Sequence, residues 1–238
     1  FWRDFRRVVK EANPDALILA EHYGDASSWL KGDQWDTVMN YDAFMEPVSW
    51  FLTGLEKHSD RFEPHLFRNS QAFMSTMLYK MSRMQTPSMM AAMNELSNHD
   101  HSRFLTRTNL KVGRLHTAGA AAASEEINYG IFRSAVVIQM TWPGAPTIYY
   151  GDEAGVCGWT DPDSRRTFPW GKENYELTEF HRYLVGIRNQ NRAFRTGAFK
   201  WLMAENGVIA YGRFNETERG VVVVNSESYA QKIRVPVW

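Results

Sequence analysis

Apolar and polar residues fall into blocks along this chain, and the blocks follow two periods. Ala16-Leu17-Ile18-Leu19-Ala20 is a continuous apolar run, set off by Asn13-Pro14-Asp15 and closed by Glu21-His22-Tyr23-Gly24. Such a run predicts a strand covered on both faces, as in a parallel sheet. Residues 37–41, 91–96 and 147–150 predict three further strands. Between them, apolar residues recur at three and four and predict helices. The first covers 1–12, with Phe1, Trp2, Phe5, Val8 and Val9 on one face. A short capped helix is expected over 25–30. Another follows Tyr41, with Phe44, Val48, Phe51, Leu52 and Leu55 inside. The stretch 70–84 carries Phe73, Met74, Met77, Leu78, Met81 and Met84 at the same spacing and is expected to end at Pro87. Helices over 127–141 and 176–188 complete the set. Residues 58–69 read as a charged loop, and 110–124 as an inserted loop with a helical turn.

The period changes after about Phe194. Residues 199–202, 208–214, 220–224 and 232–237 predict short strands, with Asn206-Gly207 as a hairpin signal. The pattern therefore divides the chain into an α/β part, 1–195, and an antiparallel β appendage, 196–238.

Composition narrows this picture rather than redirecting it. The 238 residues carry a formal net charge of +0, which gives no reason to expect nucleic acid or a charged membrane as partner. The single cysteine, Cys157, excludes an internal disulfide and a cysteine-rich metal site, and fits a reducing, cytoplasmic compartment. No apolar run approaches the ~20 residues that span a bilayer. Aromatic residues are 14% of the chain and include nine Trp, which fill cores as readily as they stack on sugar rings.

Candidate chemistry sits at strand ends. Glu21 lies at the C-terminal tip of the first predicted strand, where α/β barrels carry their reacting groups; the same acid would equally serve as a cap for the next helix. Ser97-Asn98-His99-Asp100 lies at the tip of the third, and His99-Asp100 reads either as a site pair or as a turn pair. Two carboxylates from different strands of one parallel sheet are the equipment of a glycosidase. One stays protonated to donate to the leaving oxygen, and the other stays ionised to attack or to stabilise positive charge.

These residues resemble the second half of the α-amylase superfamily barrel, especially its maltodextrin glucosidase, cyclomaltodextrinase and neopullulanase branch. Leu19-Ala20-Glu21-His22 is similar to that family's fifth-strand motif. Asp25-Ala26-Ser27-Ser28-Trp29-Leu30, Gly32-Asp33 and Val38-Met39-Asn40-Tyr41 match the stretch through the sixth strand. Ser97-Asn98-His99-Asp100, followed by Ser102-Arg103-Phe104, matches the seventh-strand motif. The run from Pro143-Gly144-Ala145-Pro146 through Thr147-Ile148-Tyr149-Tyr150 to Gly151-Asp152-Glu153 matches the eighth-strand signature. The motifs occur in family order over residues 1 to about 170.

The resemblance implies strands five to eight of a (β/α)8 TIM barrel, followed by an incomplete antiparallel β domain. It implies Glu21 as general acid/base and Asp100 as the carboxylate that stabilises the transition state. It implies substrate contacts for His99, His22, Arg103, Asp161 and Arg165. The last two belong, with Pro162 and Trp170, to a loop near the non-reducing-end subsites. The family's first four strands would precede Phe1, and with them its nucleophilic Asp and any calcium site. So no cofactor or metal is expected within these residues. The implied activity is retaining hydrolysis of α-1,4 bonds in maltodextrins or related α-glucans. A half barrel is expected to be inactive alone, and to pair with its other half or with a second copy. Two other readings stay open: a barrel homologue that has lost catalysis and serves as a binding or assembly subunit, and an α-1,6-glucosidase or transglycosylase of the same superfamily.

Overall fold

The computed structural model describes residues 1–237. Helix α1 (Trp2–Ala12) leads to strand β1 (Leu19–Ala20), and a turn-rich stretch leads on to β2 (Thr37–Val38). A single π-helical turn, Tyr41–Met45, runs into α2 (Glu46–Thr53). Then come α3 (Ser70–Ser82), α4 (Thr86–Ala91), β3 (Met93–Glu95), α5 (Phe104–Arg107), α6 (Leu115–Ala118), α7 (Tyr129–Thr141) and β4 (Ala145–Thr147). Helices α8 (Tyr175–Gln190) and α9 (Arg192–Thr196) precede strands β5 (Ala198–Glu205), β6 (Val208–Phe214) and β7 (Arg219–Asn225).

The first four strands lie side by side in chain order, all parallel. β1 pairs with β2 and β3 with β4, while a parallel bridge from Met39 to Met93 joins the two pairs. The seam at that bridge is tied by side chains. Asn40 Nδ2 donates to Asn94 Oδ1 at 2.8 Å, and Asn94 Nδ2 donates to the Pro143 carbonyl at 2.9 Å. Gly144 holds φ at +127° against that amide. A Cβ there would stand 2.4 Å from Asn94 Nδ2, so only glycine lets β4 approach. Parallel pairing puts the tips after β1, β2, β3 and β4 at one end of the sheet. Behind it, α2, α3, α7 and α8 bury one large core that includes Phe44, Phe51, Phe73, Phe132 and Trp142 and continues under β6 through Tyr211.

Strand β1 is shorter than its apolar run, and Asp36 stands beside Ile18 where the ladder would continue. Its carboxylate accepts from the Ile18 backbone N–H at 2.8 Å, so a side chain does what a sheet neighbour would do. Arg6 and Lys10 of α1 reach the same carboxylate at 2.6 and 3.0 Å and fasten the helix to the sheet.

Several expectations are corrected. Helix α1 forms where the spacing places it, but none of its residues is buried, and Phe1 just before it is 86% exposed. Trp2 meets Trp35 edge-on at 5.5 Å, and Val9 packs beside the small Ile18–Trp35 cluster. Residues 25–30 form turns rather than a helix, with Asp25 accepting from the Ser27 N–H in place of a cap. Pro87 opens α4 instead of ending α3, since proline fits the first helical turn, where no N–H is needed. β4 begins at Ala145, two residues earlier than the apolar run, and Tyr149-Tyr150 already belong to the turn.

In the C-terminal part, β5, β6 and β7 form an antiparallel sheet, and Asn206-Gly207 turns β5 into β6 with both φ positive, at 50° and 72°. Residues 232–237 form no strand. They are largely exposed, and Pro236 has no N–H to give a ladder. Trp238, the last residue of the predicted appendage, lies outside the described residues. No helix among the described residues is long and apolar enough to cross a membrane.

Candidate active site

Three of the predicted residues converge at the sheet's C-terminal end. Glu21 follows β1 directly, and His99 and Asp100 stand on the turn after β3. His99 Nε2 lies 3.6 Å from Glu21 Oε1 and 3.4 Å from Asp100 Oδ1, with the three side chains 37–40% exposed. One imidazole thus stands between two carboxylates whose residues are 79 positions apart in sequence, close to an open surface.

The turn is built by Asn98. Its Oδ1 accepts from the backbone N–H groups of Asp100 and His101, at 3.0 and 2.9 Å, an Asx turn that sets the direction of His99 and Asp100. Its Nδ2 donates to Tyr41 Oη at 2.7 Å, and Tyr41 Oη donates in turn to Glu21 Oε1 at 2.7 Å. Burial and the Glu21 hydrogen bond push the Tyr41 phenol far above its usual range, so it stays a donor. Tyr23 approaches from the β1 side. Its hydroxyl lies 3.5 Å from Asp100 Oδ2 and 3.2 Å from His101 Nε2, and its pKa is raised by burial and then by the Asp100 and Glu21 charges. Tyr41, Tyr23 and Asn98 were absent from the sequence-based site. The position of Tyr41 at a strand tip was the available signal, but a tyrosine there reads equally as core.

Asp161 and Arg165 also join the group. Arg165 Nη2 is 3.6 Å from Asp100 Oδ1, its Nε pairs with Asp161 Oδ1 at 2.7 Å, and its Nε donates to the His99 carbonyl at 3.1 Å. Ser164 Oγ donates to the same carbonyl at 2.9 Å. The loop 155–171 therefore holds the β3 tip from outside. Trp170, on the same loop, is 82% exposed.

Two predicted contacts are not with this group. Arg103 is fully buried, and a guanidinium with no exposed surface meets no ligand. It donates to the carbonyls of Tyr150 and Ser164, at 2.6 and 2.8 Å, pairs with Asp152 at 2.9 Å, and stacks over the Tyr149 ring at 4.1 Å. Its fork ties the β3 and β4 tips to the loop. His22 points the other way, because side chains alternate along an extended segment. Its ring packs against Trp29 and Trp35, at 4.8 and 5.5 Å, while Glu21 takes the site side.

Among the described residues, two clusters place carboxylate and imidazole atoms within 4.8 Å of one another, Glu21–His99–Asp100 and Glu56–His58–Asp60. In both, protein partners already engage these atoms, and no metal-binding role is assigned to them.

Residues 1–210 match the family model described as the α-amylase catalytic domain. The chain is 38% identical to neopullulanase 2 of Thermoactinomyces vulgaris over its whole length, which is 36% of that protein. It is 36% identical to the cyclomaltodextrinase of Thermoanaerobacter pseudethanolicus, over 98% of the chain and 36% of the relative. Among solved structures, the debranching enzyme of Nostoc punctiforme superposes with a TM-score of 0.83 at 30% identity, covering all of this chain and 46% of that one. The chain thus spans about a third of the length of these curated relatives.

Proposed function

The chain belongs to the α-amylase catalytic-domain family, and from that premise we propose that it supplies the acid/base half of a retaining glycoside hydrolase acting on α-1,4-linked glucans. One observation carries the reading: Glu21 and Asp100, from different strands, share a single histidine within 3.6 and 3.4 Å. In this reading, residues 1–195 are strands five to eight of the barrel with their helices, and 196–238 begin the β domain behind it. Four parallel strands in chain order and the third-length match to whole enzymes support that division.

Glu21 protonates the departing glycosidic oxygen and then takes the proton of the incoming water. Its carboxyl rests on the Tyr41 hydroxyl, which fixes the orientation that proton transfer needs. Asp100 faces the same space, where its charge opposes the positive charge developing at the anomeric carbon. His99 donates to sugar hydroxyls and separates the two acids. Arg165 and Asp161 contribute polar contacts on the loop side, and the exposed Trp170 offers a face for a sugar ring. The nucleophile comes from a strand outside these residues. The names of the relatives, neopullulanase and cyclomaltodextrinase, favour pullulan-type or cyclic α-glucans as substrates.

The test is Glu21→Gln in the full-length protein, assayed for maltodextrin hydrolysis with binding followed by calorimetry. Hydrolysis should fall by a factor of about 10² to 10⁴ while binding persists. A variant as active as the wild type overturns the assignment.

A further inference from the structure

Asp100 is approached at both of its carboxylate oxygens. On the Oδ1 side stand His99 Nε2 at 3.4 Å and Arg165 Nη2 at 3.6 Å. On the Oδ2 side stands the Tyr23 hydroxyl at 3.5 Å. That hydroxyl has one proton to give and a second neighbour able to take it, because His101 Nε2 lies 3.2 Å from the same oxygen. His101 is fully buried, and three rings fix its plane: Tyr41 edge-on at 4.9 Å, His58 at 4.8 Å and Tyr23 at 5.8 Å. Its Nδ1 meets no partner. Burial first, then the neighbouring His58, Arg107 and Lys57, keep the imidazole neutral, and Glu56 opposes them. The ring therefore carries a single proton, on one nitrogen or the other.

A count of hydrogen bonds separates the two forms. With the proton on Nδ1, that N–H is buried without an acceptor, and the bare Nε2 competes with Asp100 for the Tyr23 proton. One hydrogen bond results. With the proton on Nε2, the imidazole donates to Tyr23 Oη, and the Tyr23 O–H is left to Asp100. Two hydrogen bonds result, and no buried N–H goes unpaired. We propose that His101 is a positioning residue for Asp100: in its Nε2–H form it directs the Tyr23 hydroxyl proton onto Asp100 Oδ2. The inference rests on Asp100 being the carboxylate that stabilises the transition state. That role needs a carboxylate that stays ionised and keeps its direction, and a donor on each oxygen supplies both. A Tyr23 proton turned toward His101 would instead set the phenol's lone pairs against Oδ2 and repel the charge. His101 itself is buried behind the site and reaches the reaction only through Tyr23.

The test is a double-mutant cycle in the full-length protein. It compares kcat for the wild type, Tyr23→Phe, His101→Leu and the two combined, with His101→Gln and Asp100→Asn alongside. Tyr23→Phe and His101→Leu should each lower kcat about threefold to tenfold, the worth of one hydrogen bond. In the Tyr23→Phe background, His101→Leu should cost less than about twofold more, because the hydroxyl it acts through is gone. His101→Gln can still present an N–H to Tyr23 and should recover most of kcat. Lost packing at a buried position would instead lower kcat in both backgrounds alike, with no recovery by His101→Gln. Solid-state nitrogen NMR of histidine-labelled wild type reads the tautomer directly, with the His101 signal identified by its loss in His101→Gln. The proton should sit on Nε2, and this measurement holds even where His101→Leu does not fold. A proton on Nδ1, an unchanged kcat in either single variant, or additive losses overturns the inference. With Asp100→Asn nearly inactive, such a result leaves the reading of Asp100 standing. An Asp100→Asn as active as the wild type overturns both.

Discussion

Tyr41 donates to Glu21 Oε1 at 2.7 Å across twenty residues of chain. The contact exists because of a backbone irregularity. After β2 the chain makes one π-helical turn, Tyr41–Met45, with Met45 N–H bonding to the Asn40 carbonyl at 3.0 Å, before the regular α2 begins. The wider turn keeps Tyr41 inside, under the tips of β1 and β3, while Phe44 and Met45 still face the core. Single π turns recur at functional sites for this reason: they redirect one side chain without ending the helix. Here the redirected side chain meets Glu21 on one side and Asn98 on the other.

Tyr41→Phe should therefore cut activity without emptying the site. It removes a hydrogen bond to a charged carboxylate, worth about 1.5 to 3 kcal/mol, which corresponds to a fall in kcat of about tenfold to a hundredfold. It also strands Asn98 Nδ2, a buried donor, so the melting temperature should fall as well. Steady-state kinetics of the full-length variant would show the effect in kcat rather than KM. An unchanged kcat would mean that Glu21 is held by something other than this phenol.

Arg103 leads to the opposite expectation, a loss of stability with no loss of affinity. Its guanidinium is fully buried and balances Asp152 at 2.9 Å. Arg103→Met leaves that carboxylate buried and uncompensated, which costs about 3 to 5 kcal/mol. Urea unfolding should record the deficit, and adding Asp152→Asn to the same chain should recover part of it, since the two residues form one pair. KM for a maltodextrin, measured on whatever remains folded, should not move. A raised KM with unchanged stability would return Arg103 to the list of substrate contacts.

The sequence carried the acids and the order of strands, but not what lies between them. Glu21, His99 and Asp100 were legible because an apolar run that ends in polar residues marks a strand tip, and parallel strands bring their tips together. Arg103 and His22 were misread for a shared reason. Adjacency in sequence to a site residue says nothing about which side of the chain a side chain takes, and both point away from their neighbours' target. Tyr41 and Asn98 were missed because their roles arise from contacts 20 and 57 residues away, with no local period to announce them. Strand β1 came out shorter than predicted, and Asp36, a side chain, stands where a sheet neighbour would. Periodicity sees apolar cover, and Ile18 has it, but the ladder ends all the same.

The last expectation concerns acid stability and rests on Glu56. The turn 56–60 folds around this carboxylate. It accepts from the backbone N–H of His58 at 2.8 Å, from His58 Nδ1 at 3.1 Å and from the backbone N–H of Asp60 at 2.7 Å. Burial works to raise its pKa, and these hydrogen bonds outweigh burial, holding the carboxyl down to about 2 from an ordinary 4.5. A carboxyl whose folded pKa lies below its unfolded one adds stability that is complete above the unfolded value. That stability drains away as pH falls toward the folded value, because the unfolded chain takes up the proton first. The protein should accordingly lose stability as pH falls from about 4.5 to about 2. Glu56→Gln should be less stable at neutral pH and lose less over that window, which urea midpoints at a series of pH values would show. The consequence extends to the site, since the His58 ring packs on His101 at 4.8 Å and His101 meets the Tyr23 hydroxyl at 3.2 Å. If the two proteins lose stability in parallel on acidification, the pH dependence belongs to other carboxylates and the turn is held by its backbone alone.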